Sequence, residues 1–460
     1  MSVSDTYRPM GKWANASRAG TCGLALLLLG GAVVSCGRER PADPPGVLLV
    51  VLDAAGARHF GPYGVGRPVS PRLDALAREG TVFERAYAQA SWTLPSTASL
   101  VTGRYPPRER QDRMRVDGET LATRLHAAGV ATAAFSENPL VTADLGFTPG
   151  FDVFREYFPK HLLDAKPRDY PRVASQATVD DAVAWLGTNR ERPFFLYVHL
   201  LAPHCPYPAP PPFGGRFDPG YTGDVQGVPD TLMRINEGTL AVTPRDLEHL
   251  RLQYQENAAY GDHQVGRLLD AVDALGLRRR TLVVVVGDHG EAFKEHGVLL
   301  HSTTLYDEMI HVPLVVRFPA GVGTLPARWP GVVEARQVYA TMARALGLQA
   351  PPGLLGVLRG TVRRPEVARS WTGEGRRALA ALTTTRYKLI LDRRARRLEL
   401  YDLASDPGET RDLSATHRPL AVRLARQLRR AERNRFARRA APLEPETVRR
   451  LRALGYVEAH

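Results

Sequence analysis

Gly46-Val47-Leu48-Leu49-Val50-Val51-Leu52 is an unbroken apolar run that ends on Asp53, and a second run, Leu282-Val283-Val284-Val285-Val286, ends on Gly287-Asp288. A strand with one wet face alternates apolar and polar residues, whereas a continuous branched run belongs to a strand buried on both faces. The two runs therefore predict a mostly parallel sheet with helices on either side. In open α/β sheets ligands gather beyond the carboxyl ends of the strands, so Asp53 and Asp288 fall where a site would form. Further strands are expected at Val130–Phe135, Phe194–Leu200 and Val312–Phe318. Between them Ser70 and Pro71 open a helix as N-cap and first residue, and Gly80 closes it. Another helix runs from about Asp246 to Leu275. Past residue 365 the short runs Ala378–Thr384, Tyr387–Leu391 and Arg397–Tyr401 are separated by turns. The expected fold is thus α/β, a large mostly parallel sheet sandwiched by helices, with a small C-terminal antiparallel sheet plus a helix.

A chain of 460 residues can bury one large core and a smaller companion, and 44% hydrophobic with 24% charged residues excludes wholesale disorder. The net charge of +13 is concentrated in the stretch from Arg423 to Arg439. A solvated helix face is the favoured reading of that stretch, ahead of affinity for anionic lipid or polyanions. No zinc-finger spacing, RNP-type run or reading helix is evident, so nucleic acid is not an expected partner. Near the N-terminus Lys12 and Arg18 precede an apolar run from Gly23 to Val34 that is too short to span a bilayer comfortably. It ends Val33-Val34-Ser35-Cys36, which resembles the lipobox of bacterial lipoproteins. The expected organisation is a secretory signal over 1–35, a tether over 36–45, a main α/β domain over 46–365 and a small basic subdomain over 366–460. The chain is then an exported lipoprotein held on the periplasmic or outer side of a membrane through lipidated Cys36. With Cys22 removed and Cys36 acylated, only Cys205 remains, which leaves no disulfide framework and reads as a small buried hydrophobe.

Three segments carry residues suited to ester chemistry. One is Val51-Leu52-Asp53. The second is Ser91-Trp92-Thr93-Leu94-Pro95-Ser96-Thr97, running on to Gly103-Arg104, where Pro95-Ser96 marks a helix start and Gly103 its stop. Thr93 then sits at a helix N-terminus, where free N–H groups and the dipole favour an incoming anion. The third is Gly287-Asp288-His289-Gly290-Glu291, followed by His296 and His301. Ester hydrolysis needs a nucleophile, a means of neutralising the non-bridging oxygens and a proton for the leaving group. Singly, each segment is as well explained by caps and turns. Their joint occurrence at strand ends is what points to chemistry.

The order of motifs resembles the sulfatase-like branch of the alkaline-phosphatase superfamily. It includes Ser70-Pro-Arg-Leu-Asp-Ala-Leu-Ala-Arg-Glu-Gly80, the Thr93 segment ending Leu100-Val-Thr-Gly-Arg-Tyr-Pro106, and Pro203-His204-Cys205-Pro206. Further on come Asp288-His-Gly-Glu291, His311-Val-Pro-Leu-Val315, Tyr387-Lys388 and Glu399-Leu-Tyr-Asp-Leu403 with Asp406-Pro-Gly-Glu409. The departures are chemical. Thr93-Leu94-Pro95-Ser96-Thr97 stands where sulfatases carry C-x-P-S-R, so no cysteine is present to become formylglycine and the motif's arginine is replaced. Asp53-Ala54-Ala55-Gly56 stands for D-D-x-G with one carboxylate missing, and Ala133–Asn138 takes the place of a segment that supplies a lysine.

What remains is similar to the threonine-nucleophile relatives, the phosphodiesterases and phosphoethanolamine transferases. That likeness implies one divalent ion held by Asp53, Thr93, Asp288 and His289, with His204 and His301 binding substrate or acting as acids. His199 and His296 are equally well read as structural. A four-coordinate site suits Zn²⁺ better than Ca²⁺, which prefers six to eight oxygens; Mn²⁺ and Ca²⁺ are left open. The expected activity is metal-dependent hydrolysis of phosphate or sulfate esters on a small ester, glycan or lipid. Transfer of a phosphoethanolamine-type group to an envelope glycan or lipid, and a catalytically degenerate surface binding lipoprotein, are the two alternatives.

Overall fold

The computed structural model describes residues 45–107, 114–158, 175–361, 367–372 and 378–433. The expected signal, lipidated Cys36, all but the last tether residue and the arginines beyond 433 lie outside the described residues. In chain order the strands of the main sheet begin with β1 (Gly46–Leu52), β2 (Thr81–Tyr87), β3 (Ala131–Ser136), β4 (Val153–Glu156), β5 (Phe194–Leu200) and β6 (Thr281–Gly287). A two-stranded ribbon follows, β7 (Ala292–Phe293) and β8 (Leu299–Leu300), before the sheet resumes with β9 (His311–Val312), β10 (Leu314–Arg317) and β11 (Arg328–Glu334). The strand order is β11-β2-β10-β6-β1-β5-β3-β4, with β9 paired to β2. Its centre, β6-β1-β5-β3, is parallel throughout, and β9 and β10 supply the antiparallel pairings.

Every residue of β1, β5 and β6 is buried, as the continuous apolar runs require. The two-residue period of β1 divides it between two cores. Val47, Leu49 and Val51 pack with one helical layer, formed by residues 93–102, 121–125 and 338–343, while Leu48, Val50 and Leu52 pack with the other, residues 73–76, 179–186 and 258–272. The helices up to the small sheet are α1 (Pro71–Glu79), α2 (Thr93–Thr102), α3 (Leu121–Ala127), α4 (Ser175–Asn189), α5 (Pro229–Glu237), α6 (Pro244–Ala274), α7 (Asp307–Ile310), α8 (Gln337–Ala345) and α9 (Gly353–Leu358), of which α5 and α7 pack outside those two layers. Each fully buried Val or Leu contributes about 1.5–3 kcal/mol, so the sheet centre is a rigid platform for whatever stands at its ends. Helix α6 starts where Thr243 and Asp246 form a reciprocal capping box around Pro244. No helix among the described residues is long and apolar enough to cross a membrane.

The small sheet is antiparallel, β12 (Val367–Trp371), β13 (Leu379–Thr384), β14 (Tyr387–Asp392) and β15 (Arg397–Asp402), in that order. Helix α10 (Arg418–Arg433) covers it, burying Ala421, Leu424, Ala425 and Leu428 against Leu382, Leu389 and Leu400 while Arg423, Arg426, Arg429 and Arg430 stay exposed. The expected fold class holds, with local differences. The strand expected over Val312–Phe318 is two strands, because Pro313 has no N–H to give the ladder. Helix α2 begins at Thr93 rather than Pro95, since a proline is tolerated within a first turn. The stretch 213–242, irregular by composition, contains α5.

Candidate active site

The site stands at the carboxyl ends of four neighbouring strands. Leu52 pairs with Gly287 on one side and Leu200 on the other, so Asp53 and Asp288 leave the sheet side by side. Asp288 is held by two backbone donors on one oxygen, Ala54 N–H at 3.1 Å and His289 N–H at 2.8 Å. Its other oxygen, Oδ2, is fully buried with no hydrogen-bond partner. Gly290 then passes so close to the Glu308 carbonyl that a Cβ there would collide with backbone, which lets the chain turn and bring His289 inward. Thr93, the first residue of α2, reaches the same point from the facing layer. All four residues are 0% exposed.

Thr93 Oγ1 lies 3.1 Å from His289 Nε2 and 3.4 Å from Asp53 Oδ1. His289 Nε2 lies 3.5 Å from Asp53 Oδ1 and 3.5 Å from Asp288 Oδ2. A tetrahedral ion with arms of about 2.0–2.1 Å separates its ligand atoms by about 3.3–3.4 Å, and these four separations are of that size, as a divalent-cation site requires. His289 Nδ1–H donates to the Gly290 carbonyl at 3.0 Å, which turns the Nε2 lone pair to that centre. Burial opposes the ionised form of Asp53, but His204, His199 and His289 outweigh it and hold the carboxyl well below its usual range. For Asp288 burial prevails and the carboxyl is raised. Burial pulls His289 down, yet Asp288 and Asp53 lift it to about 9. Crowded anions around a cationic imidazole are what a metal site looks like when protons do the metal's neutralising.

His301 and His204 line up beyond this centre. The His301 ring is 4.4 Å from that of His289 and 5.0 Å from that of His204. His301 Nδ1 bonds Glu291 at 3.0 Å, and burial pushes the Glu291 carboxyl up to about 7. Burial, with His289 and His204 nearby, holds the His301 imidazole well below its usual range. Every residue singled out in the sequence, Asp53, Thr93, His204, Asp288, His289 and His301, is therefore in one neighbourhood. His296 is not: it bonds Glu308 at 2.7 Å and the Glu409 carbonyl at 3.1 Å, stacked on Tyr306. Cys205 is a buried free thiol in an apolar cluster, raised by burial, so it plays no part in the chemistry.

Two further residues belong to the site: Asn138, which the sequence did not single out, and His199, which it left open as site or structural. Asn138, two residues past β3, donates its amide to Asp53 Oδ2 and lies 3.5 Å from Thr93 Oγ1. His199, near the end of β5, places Nε2 3.7 Å from Asp53 Oδ2, and ligand atoms of Asp53, His199 and Asp288 all lie within 4.8 Å of one another. Both lie within two residues of the carboxyl end of an apolar strand run, and that nearness is the signal that could have found them.

With fold and site in view, the comparisons with known proteins define the class. The sulfatase family model matches residues 45–348, two-thirds of the chain, and the chain belongs to the sulfatase family of ester hydrolases. Human iduronate 2-sulfatase is 27% identical over 414 residues, covering 71% of this chain and 74% of that protein. Choline-sulfatase of Rhizobium meliloti is 24% identical over 433 residues, covering 81% and 83%. Among solved structures, a phosphonate monoester hydrolase from Silicibacter pomeroyi superposes with a TM-score of 0.70 at 21% identity, covering 85% of this chain and 96% of that one, a likeness of fold. Sulfatase-family enzymes are metal-dependent, and the buried Asp53, His199 and Asp288 form a possible metal site.

Proposed function

We propose that the chain hydrolyses phosphoric esters through Thr93, with a divalent cation held by Asp53, Thr93, Asp288 and His289. The observation that carries this reading is the convergence on His289 Nε2 of Thr93 Oγ1 at 3.1 Å, Asp53 Oδ1 at 3.5 Å and Asp288 Oδ2 at 3.5 Å, with Thr93 Oγ1 also 3.4 Å from Asp53 Oδ1. Such a cation, for which Zn²⁺ is the best match, supplies charge neutralisation for the ester oxygens and acidity for the Thr93 hydroxyl. Thr93 Oγ1 attacks phosphorus; the P–Oγ1 bond forms as the bond to the departing alcohol breaks. The His301–Glu291 pair, which keeps a proton near neutrality because burial raises Glu291 to about 7, hands it to the alcohol oxygen and is refilled with the proton Thr93 gave up. Water then attacks the same phosphorus and restores the threonine. The dipole at the amino end of α2, on which Thr93 stands, favours the anion throughout.

A threonine ester of sulfate has no geminal hydroxyl to expel the group, so phosphorus is favoured over sulfur as the reacting centre. Export and anchoring through lipidated Cys36 belong to the same proposal, and place the substrate among envelope glycans, lipids or small esters; incorporation of labelled fatty acid that stops in Cys36→Ala tests it. The catalytic test is turnover of matched chromogenic phosphate monoester, phosphodiester and sulfate monoester by the purified Zn²⁺-loaded chain, beside Thr93→Ala. Phosphoester cleavage is expected to fall about 10³-fold or more in the variant. Thr93-dependent cleavage of the sulfate ester alone would overturn the proposal.

A further inference from the structure

Asp53 presents its two oxygens to different surroundings. Oδ1 faces Thr93 Oγ1 and His289 Nε2 at 3.4 and 3.5 Å, whereas Oδ2 takes the Asn138 amide and faces His199 Nε2 at 3.7 Å. His199 stands on β5, directly beside Val51 of β1 and Ser136 of β3, and is 0% exposed. Its Nε2 is fully buried and has no hydrogen-bond partner in bonding range. Its other nitrogen lies 2.7 Å from the hydroxyl of Tyr197, two residues earlier on the same face of the strand. Among the described residues that nitrogen is the one hydrogen-bond partner of the Tyr197 hydroxyl. A buried O–H with a single available acceptor donates to it. The Tyr197 O–H therefore points at His199 Nδ1, which places the imidazole proton on Nε2, aimed at Asp53 Oδ2.

We infer that His199, its tautomer set by Tyr197, is a positioning residue that fixes Asp53 with Oδ2 turned away and Oδ1 turned toward Thr93 and the cation. The need arises from Ala54. Where the family pattern has a second carboxylate beside the first, this chain has a methyl group, so Asp53 alone supplies the anionic ligand from the end of β1. A carboxylate with no neighbour to restrict it can swing or bind through both oxygens. The Asn138 amide holds its outer oxygen, and the His199 Nε2–H faces the same oxygen at 3.7 Å. This inference rests on the metal-site reading above and concerns an orienting contact rather than a ligand.

The test measures Zn²⁺ affinity of the purified full chain by competition with a chromogenic chelator, the absorption bands of its Co²⁺ form, and the melting temperature of the metal-free protein. His199→Phe fills the space without a donor, His199→Gln keeps an amide donor, and Tyr197→Phe removes the hydroxyl alone from a ring already in the core. Loss of an outer contact of this kind weakens binding by about 10–100-fold, so His199→Phe is expected in that range with His199→Gln closer to wild type. Tyr197→Phe, losing one hydrogen bond, is expected to weaken binding by about 2–10-fold with little change in melting. Stoichiometry stays at one ion and the Co²⁺ bands keep their positions, because the ligand atoms are unchanged. A wild-type chain that binds Zn²⁺ beside variants of equal affinity would sink this inference alone. Loss of an imidazole ligand from the Co²⁺ spectrum in His199→Phe would also overturn it, since His199 would then be a ligand. A wild-type chain that takes up no divalent ion overturns the functional proposal and this one together.

Discussion

Glu137 closes β3 with its carboxyl 0% exposed, one oxygen accepting from Leu201 N–H at 2.8 Å and Ser175 Oγ at 2.9 Å and the other with no partner. Burial, only partly offset by those donors and by His199, pushes the group up to about 7. A carboxyl whose folded value lies above its usual 4.5 contributes stability that is full below that value and is lost as the pH rises through about 7. Glu137→Gln keeps the acceptor for Leu201 and removes the titration. Between pH 5 and 8 the denaturation midpoint of the variant is therefore expected to fall less than that of wild type, by up to about 3 kcal/mol at the alkaline end. Parallel pH profiles for the two proteins would refute this. The same strand end shows what the sequence does and does not reveal about single residues. Asp53, Thr93, Asp288 and His289 were legible because acidic or nucleophilic groups followed recognisable runs in a recognisable order. Asn138 was not and His199 stayed open, since an Asn after a strand is usually a turn residue and a His within an apolar strand is usually core. Only the register of β1, β5 and β3 brings them to one carboxylate.

At the scale of elements, helix α1 depends on a residue nearly two hundred positions away. Ser70 occupies its N-cap but makes no cap bond; its hydroxyl accepts from Gly61 N–H at 2.8 Å. The first-turn donors are satisfied instead by Asp262 of α6, which takes Arg72 N–H at 2.9 Å and Leu73 N–H at 2.8 Å. Pro71-first and Ser70-before are enough to locate the helix from sequence, but not to say which group satisfies it. Asp262→Ala leaves two buried N–H groups unpaired and is expected to cost about 2–4 kcal/mol, with Asp262→Asn recovering about half. Denaturant titration of both variants checks this; an Ala variant as stable as wild type would mean that water replaces the carboxylate. Strands were legible where both faces are buried, as in β1, β5 and β6, because the hydrophobic signal is then continuous. Strands β2, β11 and β12 were missed. Thr81–Tyr87 carries Glu84 and Arg85, and Arg328–Glu334 carries Pro330 and Gly331 with a register shift, so their strand character comes from pairing rather than from composition.

Across the whole molecule the small sheet braces the loop that supplies half of the site. Lys388 of β14 is 0% exposed, with its ammonium 2.8 Å from Asp307 and 2.9 Å from Glu409. Glu409 in turn accepts from Asp307 N–H at 2.6 Å, and its carbonyl meets His296 at 3.1 Å. Asp307 and His296 lie in the segment 288–311 that also carries Asp288, His289, Glu291 and His301. One lysine cannot neutralise two carboxylates, one buried (Glu409) and one partly buried (Asp307). Burial of Asp307 is outweighed by Lys388, which keeps it low, while burial lifts Glu409 to about 8, so near neutrality the trio holds one cation, one anion and one neutral acid. An apolar interface reinforces the contact, with Ala368, Leu379, Ala381 and Ile390 of the small sheet packed on Leu305, Met309 and Ile310. The motif residues Tyr387-Lys388 and Asp406-Pro-Gly-Glu409 were visible in the sequence, but not that their partner is Asp307, because nothing local links a strand of one sheet to a four-residue helix beside the other. Lys388→Met preserves length and removes the charge, leaving the partly buried Asp307 and the buried Glu409 without their counter-ion. Breaking such a pair from one side costs about 3–5 kcal/mol, and Asp307→Asn added to Lys388→Met should return a large part of it. Because the strained segment also carries His301, turnover is expected to fall in Lys388→Met and recover in the double variant, with the denaturation midpoint following the same order. A single variant that loses stability while keeping full turnover would show that the small sheet stabilises the chain without holding the site.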